Sequence, residues 1–289
     1  MDKIEIAFIG GSGLYKINEL KNISWISKES EFGTPSSKIC VGTLNGKKIA
    51  FLPRHGKDHS ISPTKINYRA NIDILKQLNV QNIVSLSAVG SLREDYIPGD
   101  FVIVNQFIDK TYLREKTFFD EGIVAHIPFK DPTCQNLNLL VAKCLEIMKI
   151  KFHETGTYIC IEGPQFSTLA ESQLYRSWGC DVIGMTNQPE AKLSMEAGIC
   201  YSSVAMVTDF DCWHPDHDNV TIEQIIKTLE NNSGKANKLI SELSKQNNIK
   251  CNDDIKNLSR NSIVTDLSKS NKVAKNRLKN ILSSNESKR

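Results

Sequence analysis

Ile6-Ala-Phe-Ile-Gly-Gly-Ser-Gly-Leu-Tyr15 is an apolar run that breaks into glycines. Its apolar residues read as a strand buried on both faces, and Gly10, Gly11 and Gly13 as the tight turn that ends it. A dinucleotide fingerprint would need a third glycine three residues after Gly13, but Lys16 stands there. What remains is a turn whose bare amides and Ser12 hydroxyl can approach an anion, because glycine removes the side chain that would block close contact. A purely structural tight turn reads equally well from this stretch alone.

Working outward, further short β-branched and apolar runs predict strands at 49–52, 82–87, 100–104, 157–161, 182–184 and 199–207. Apolar spacings of three and four predict helices over 64–78, 137–148, 168–178 and 190–197. Strands alternating with helices imply an α/β layer structure with a central sheet covered by helices. No internal repeat is visible. After about residue 245 the composition shifts to Asn, Lys and Ser, which divides the chain into a main domain over 1–245 and a C-terminal extension over 246–289. In the extension Leu267, Val273, Leu278, Ile281 and Leu282 give a helix from about residue 271 an apolar face, so it is expected to dock on the domain or on a neighbouring subunit.

The 289 residues are 40% hydrophobic and 24% charged, which suits a globular protein. A net charge of +3, without a basic stripe interleaved with aromatics, makes nucleic acid a poor partner. No run approaches the ~20 apolar residues needed to span a bilayer, so no membrane partner and a cytoplasmic, soluble protein are expected. Eight cysteines without a CxxC pair, most of them in apolar stretches, read as reduced and buried.

Five more stretches carry chemistry. In LPRHGKDH (52–59) a guanidinium and an imidazole follow a strand, Arg54 and His55, and the planar Arg fork fits phosphate oxygens in pairs. Ser85-Leu-Ser-Ala-Val-Gly-Ser91 offers hydroxyls and amides at another strand end, and Thr186 in GMTNQPE (184–190) a further donor. Strand ends presenting anion donors point to one site, since ligands in open α/β sheets gather there. In IEGPQFSTLAE (161–171) Phe166 is either a core anchor or an aromatic face for a base. Finally MVTDFDCWHPDHD (206–218) holds four aspartates, two histidines and a cysteine, which is a metal-site inventory. It reads equally as a strand end at which only some of these residues act. The i, i+2 spacing of Asp209 and Asp211 puts both carboxyls on one face if the strand continues, with Phe210 opposite.

Taken together, IGGSGLY, PRHGKDH, SAVGSLRE, GDFVIVNQFIDKT, IEGPQFSTLAES and MVTDFDCW, in this order over about residues 4–243, resemble the trimeric purine nucleoside phosphorylase family. The resemblance implies a single α/β domain with a central mixed, partly barrel-like sheet flanked by helices. It also implies a homotrimer that binds a small-molecule nucleoside, with inorganic phosphate as co-substrate and no metal or organic cofactor. Carried over by position, Ser12, Arg54, His55, Ser87, Ala88 and Thr186 would hold phosphate, Met185 the ribose, and Phe166 and Ser167 the base. His126 and Ile222 would line the pocket for the nucleoside's 5′ end, Ile222 from its own or a neighbouring chain. Thr208, Asp209 and Asp211 would read adenine: a ring nitrogen that accepts beside an amine that donates is complemented by one protonated and one ionised carboxyl. Asp209 is expected to be the general acid to the ring nitrogen and Asp211 to hold the amine, and the roles can be shared.

Relatives acting on 6-oxopurines carry Asn at the place of Asp209 and Glu at that of Ser167, so both positions favour adenine here, and Ile222 favours a methylthio group over a hydroxyl. The expected reaction is phosphorolysis of 5′-methylthioadenosine to adenine and 5-methylthio-D-ribose 1-phosphate, in methionine and purine salvage. The alternatives are a phosphorylase of the same fold that uses adenosine or 6-oxopurine nucleosides, a hydrolase that uses water, and a non-catalytic metal- or nucleotide-binding protein.

Overall fold

Ile6–Gly10 forms a strand, β1, buried at every position. Ile6 and Phe8 enter one hydrophobic cluster while Ala7 and Ile9 enter another, as in a strand covered on both faces. The computed structural model describes residues 4–11, 17, 19–215, 222–247, 249, 251 and 253–283, and of 222–227 the backbone only. The remaining strands are β2 (Lys21–Ile26), β3 (Ile39–Leu44), β4 (Lys47–Pro53), β5 (Asn82–Ser91), β6 (Phe101–Val104), β7 (Gln106–Asp109), β8 (Phe152–His153), β9 (Thr157–Cys160), β10 (Val182–Gly184) and β11 (Cys200–Asp209). The helices are α1 (Tyr68–Gln77), α2 (Gln135–Ile147), α3 (Leu169–Ser177), α4 (Asn187–Glu196), α5 (Ile222–Lys245), α6 (Asp253–Lys256), α7 (Leu258–Ser262) and α8 (Lys272–Arg277).

Among the described residues the eleven strands form one mixed sheet in the order β2-β3-β4-β1-β5-β10-β9-β7, with β11, β6 and β8 following on from β5. β5 is the hub. It runs parallel to β1 from Asn82 to Ser85, antiparallel to β10 at Gly90 and Ser91, and parallel to β11 from Asn82 to Gly90. β6 pairs with β11 and β7 with β9, and only Asn105 separates β6 from β7. The chain thus carries the sheet around from the β11 side to the β9 side, which gives a partly barrel-like curl without hydrogen-bonded closure.

Several elements depart from the sequence expectation for local reasons. α1 starts at Tyr68 rather than 64, because Pro63–Lys65 is a 3-10 turn and the Asn67 side chain caps the helix, accepting from the Ala70 amide at 3.0 Å. The strand expected to stop at 87 runs on to Ser91, where Gly90 and Ser91 gain β10 as partner. β2 gave no signal because it is an edge strand with little of its surface covered. α5 buries Ala236, Leu239, Ile240 and Leu243, a helical stripe packed on the sheet. In the C-terminal segment Ala274, Leu278 and Ile281 join Phe118, Phe119 and Ile123 in one cluster, and Ile263 makes a β-bridge to Ala125.

The expectation of eight reduced cysteines is corrected at two positions. Cys200 and Cys251 form a disulfide, with Cα atoms 5.4 Å apart, within the normal span of the bond. The partners lie 51 residues apart, so no short-range spacing announced them. Among the described residues no helix is long and apolar enough to cross a membrane.

Candidate active site

Four strand ends converge. The Arg54 amide, just past β4, donates to Gly10 O of β1 at 2.9 Å, which fixes the two ends side by side. The Arg54 side chain, 1% exposed, then passes beneath β5: Nη1 donates to Leu86 O and Nη2 to Ser85 Oγ at 2.6 Å. Its main partner is Glu190 of α4, held by Nε at 2.7 Å and Nη2 at 2.9 Å. A bidentate carboxylate is what makes burial of a guanidinium tolerable. Ser87 is buried and donates to Asn187 Oδ1 at 3.0 Å, Ala88 beside it is exposed, and the Thr186 amide donates to the Tyr158 hydroxyl at 3.4 Å. His55 Nδ1 lies 2.8 Å from Ile61 O. Burial, and then the Arg54 charge, lower its proton affinity to a pKa of about 4. Ser12 lies outside the described residues.

The second half of the site is built by a bulge. Val207 pairs with Val89 and Asp209 with Gly90, so Thr208 is the extra residue on β11. Its hydroxyl lies 3.1 Å from Val89 O and 2.7 Å from Asp209 Oδ2. β11 ends at Asp209, and Asp211 sits in a turn with φ +52°. The condition that the strand continue through both carboxylates is therefore not met: the turn brings them together instead, the Asp211 amide donating to Asp209 Oδ1 at 2.8 Å. Phe210 points away and packs with Trp213. Burial raises the proton affinity of both carboxyls. For Asp211 the charge of Asp209 adds to it, while hydrogen bonds from Thr208 and the Asp211 amide oppose it at Asp209. Gly90 opposite leaves room for this pair, since a Cβ there would stand 3.0 Å from Asp209 Oδ1.

This cluster of polar side chains at strand ends, beside two carboxyls of raised proton affinity, is matched by what the chain resembles. The profile of the phosphorylase superfamily covers residues 5–245. The chain belongs to the phosphorylase superfamily. It is 56% identical over 241 residues to the S-methyl-5′-thioadenosine phosphorylase of Cereibacter sphaeroides, covering 83% of each chain. To that of Rhodospirillum rubrum it is 55% identical over 238 residues, covering 82% of this chain and 81% of the other. A methylthioadenosine phosphorylase from an Antarctic soil metagenomic library superposes with a TM-score of 0.91 at 42% identity, covering 98% of this chain and 100% of that one. The Schistosoma mansoni methylthioadenosine phosphorylase in complex with adenine does so at 0.81 and 32%, covering 90% and 99%.

In this phosphorylase the remaining expected residues divide. Met185 touches the turn at Gly163, where a Cβ would stand 2.5 Å from its Sδ. Ser167 accepts through its carbonyl from the Cys212 thiol, and its own hydroxyl is buried without a partner among the described residues. Phe166 on the same turn is 68% exposed. His126 is exposed on the segment bridged to the C-terminal extension, and among the described residues no hydrogen bond joins it to the rest of the site. The Ile222 side chain, Asp216, His217 and Asp218 lie outside the described residues. Among those described, no group of three or more His, Cys, Asp or Glu side chains is placed to hold a metal.

Sequence reasoning missed the framework of the phosphorylase site. Glu162 accepts from the Tyr112 and Leu113 amides at 2.6 and 3.0 Å, from Thr64 Oγ1 and from Arg114. Burial works against its charge, yet these donors outweigh it and hold the carboxyl at about 2. Arg114 ties the same turn to Met185 O and Gln188 O, at 2.7 and 2.6 Å. The usable signal was an acidic residue beside a proline turn that follows a buried strand, Glu162 after Thr157–Cys160 and Glu190 after Val182–Gly184, since a buried carboxylate requires a partner.

Proposed function

We propose that this phosphorylase cleaves 5′-methylthioadenosine with inorganic phosphate, releasing adenine and 5-methylthio-D-ribose 1-phosphate. The observation that carries the reading is the Asp209–Asp211 pair, half-buried at the end of β11 with raised proton affinity and set opposite Gly90 on β5. A phosphate oxygen bonds to the sugar's anomeric carbon while the bond to the purine breaks, and the electron pair of that bond passes into the ring. Asp209 delivers a proton to the imidazole nitrogen, and ionised Asp211 accepts from the exocyclic amine. Ser12, Arg54, His55, Ser87, Ala88 and Thr186 hold the phosphate, and no metal or organic cofactor takes part. Phosphate supplies the negative charge beside the cation-like sugar, so the main contribution of the protein is positioning. A 6-oxopurine would turn an acceptor toward Asp211 and be rejected, by as much as ~10⁴-fold for a mismatched polar group in a buried site.

Homotrimeric assembly belongs to this reading. Tyr112 and Leu113, whose amides are fixed by Glu162, and Phe166 present large exposed apolar side chains around the site, and a neighbouring copy would cover them and bring His126 and Ile222 toward the 5′ end. A cytoplasmic enzyme of methylthioadenosine and purine salvage completes the proposal. The test is a phosphate-dependence assay with methylthioadenosine, adenosine, inosine and guanosine, run beside light scattering for the mass in solution. Methylthioadenosine is expected to be cleaved fastest and only with phosphate present. Faster cleavage of inosine would sink the substrate assignment, and cleavage without phosphate would make the protein a hydrolase.

A further inference from the structure

Asn187, the first residue of α4, is completely buried, and its carboxamide is oriented by what lies behind it. Glu190, paired with Arg54, has only lone pairs to offer. Ser85 Oγ at 2.7 Å and the Tyr201 hydroxyl at 3.0 Å must therefore both donate to it. A hydroxyl has one hydrogen, so toward Asn187 these two oxygens can only accept. They receive Nδ2 at 3.3 and 2.7 Å, and Ser203 Oγ lies 2.8 Å from the same nitrogen. The amide is thus fixed with Oδ1 on the other side, 3.0 Å from Ser87 Oγ. A carboxamide oxygen cannot donate, so the Ser87 hydrogen is directed at Asn187. Toward the anion site Ser87 has lone pairs alone.

His55 repeats the pattern. Ile61 O can only accept, so Nδ1 carries the ring hydrogen, and the lowered proton affinity of the ring leaves Nε2 an acceptor. Acceptors are of no use to an anion unless the anion itself carries a hydrogen.

We propose that Asn187, acting through Ser87, makes the oxyanion site selective for tetrahedral oxyanions that bear a proton, phosphate above all, against sulfate, which bears none at neutral pH. The proposal rests on the reading of Ser87 and His55 as phosphate ligands. Sulfate equals monohydrogen phosphate in charge and shape, so the P–OH group is the distinguishing feature. Lone pairs facing lone pairs in a buried site lower affinity by roughly tenfold to a hundredfold.

The test is inhibition by sulfate of phosphate-dependent methylthioadenosine cleavage at constant ionic strength, with anion-induced thermal stabilisation as a second readout. In the wild type the inhibition constant for sulfate is expected to exceed the KM for phosphate by about tenfold or more. Asn187→Leu frees the Ser87 hydroxyl to turn its hydrogen to the anion, and Ser87→Ala removes the opposing lone pairs while keeping Asn187. Both should bring the two constants closer together by about fivefold or more, an effect that a general loosening of the fold would not produce. A wild-type ratio below that range overturns the proposal whether or not the variants fold, and so does an unchanged ratio in both variants. If phosphate neither supports cleavage nor stabilises the protein, the phosphate-site reading falls and takes this proposal with it.

Discussion

Asp209 gathers three constraints on one carboxyl: the Thr208 hydroxyl, the Asp211 amide and the proximity of Gly90. Asp209→Ala should lower kcat/KM for methylthioadenosine by about 10²–10⁴-fold, the range of a lost general acid. His214→Ala should cost far less, since His214 packs on Phe210 and Trp213; comparable losses in steady-state kinetics would refute the role given to Asp209. The pH dependence follows from the direction of the shifts. Because burial raises the proton affinity of both carboxyls, the protonated acid persists to higher pH than in an ordinary aspartate, and kcat/KM should fall on the alkaline side as that proton is lost. Gly90→Ala would press on Asp209 Oδ1 and Ile183 Cγ2, both 3.0 Å from the new Cβ. The expected result is a larger loss of activity than of thermal stability, measured on the same preparation.

At the scale of elements, α4 joins site and stability. Its N-terminal residues hold the network beneath the anion site, while Glu196 at its other end accepts from the Phe118 amide and Thr117 Oγ1, both at 2.7 Å. Burial, only partly offset by these donors, pushes Glu196 up to about 7 from 4.5. A folded state that binds the proton more tightly than the unfolded chain gains stability that is complete below pH 4.5 and is lost as pH rises through 7. The difference amounts to about 3 kcal/mol. Urea unfolding at mildly acid and mildly alkaline pH should show this slope in the wild type and a flatter one in Glu196→Gln. Another element-level constraint is the packing of β10 on β9: a Cβ at Gly184 would stand 2.0 Å from the Tyr158 hydroxyl. Gly184→Ala should therefore lower the melting temperature markedly. The strands of the central sheet were legible because burial on both faces leaves an unbroken apolar run, as in Ile6–Gly10. β2 and the start of α1 were not, since an edge strand needs no apolar pattern and a cap is decided by one side-chain contact.

For the whole molecule, the residues facing a ligand were easier to read than those behind them. Arg54 announces an anion donor, yet its partner Glu190 is 136 residues away, and only the folded sheet brings the two together. Asp209 and Asp211 were readable as a pair, but the bulge that aims them depends on register against β5, which the spacing does not contain. The Cys200–Cys251 bond is long-range for the same reason, and it ties the start of β11 to the segment just before α6. Its loop of 51 residues predicts that reduction, or Cys200→Ser, lowers stability by about 2–4 kcal/mol. Urea unfolding with and without reductant checks this.

β5 passes from Ser87 at the anion donors to Gly90 opposite Asp209 within a single extended strand. Three residues of strand span about 10 Å, so in the proposed reaction the separation between the phosphate and purine subsites is a ruler built into one backbone segment and not the meeting of two loops. Loops can drift in length between relatives, whereas a strand held in register against β11 from Ser87 to Gly90 cannot gain or lose a residue here without moving one subsite off the other. Variation in substrate is therefore confined to what leaves that span unchanged: the group on the sugar's 5′ carbon and the edge of the base.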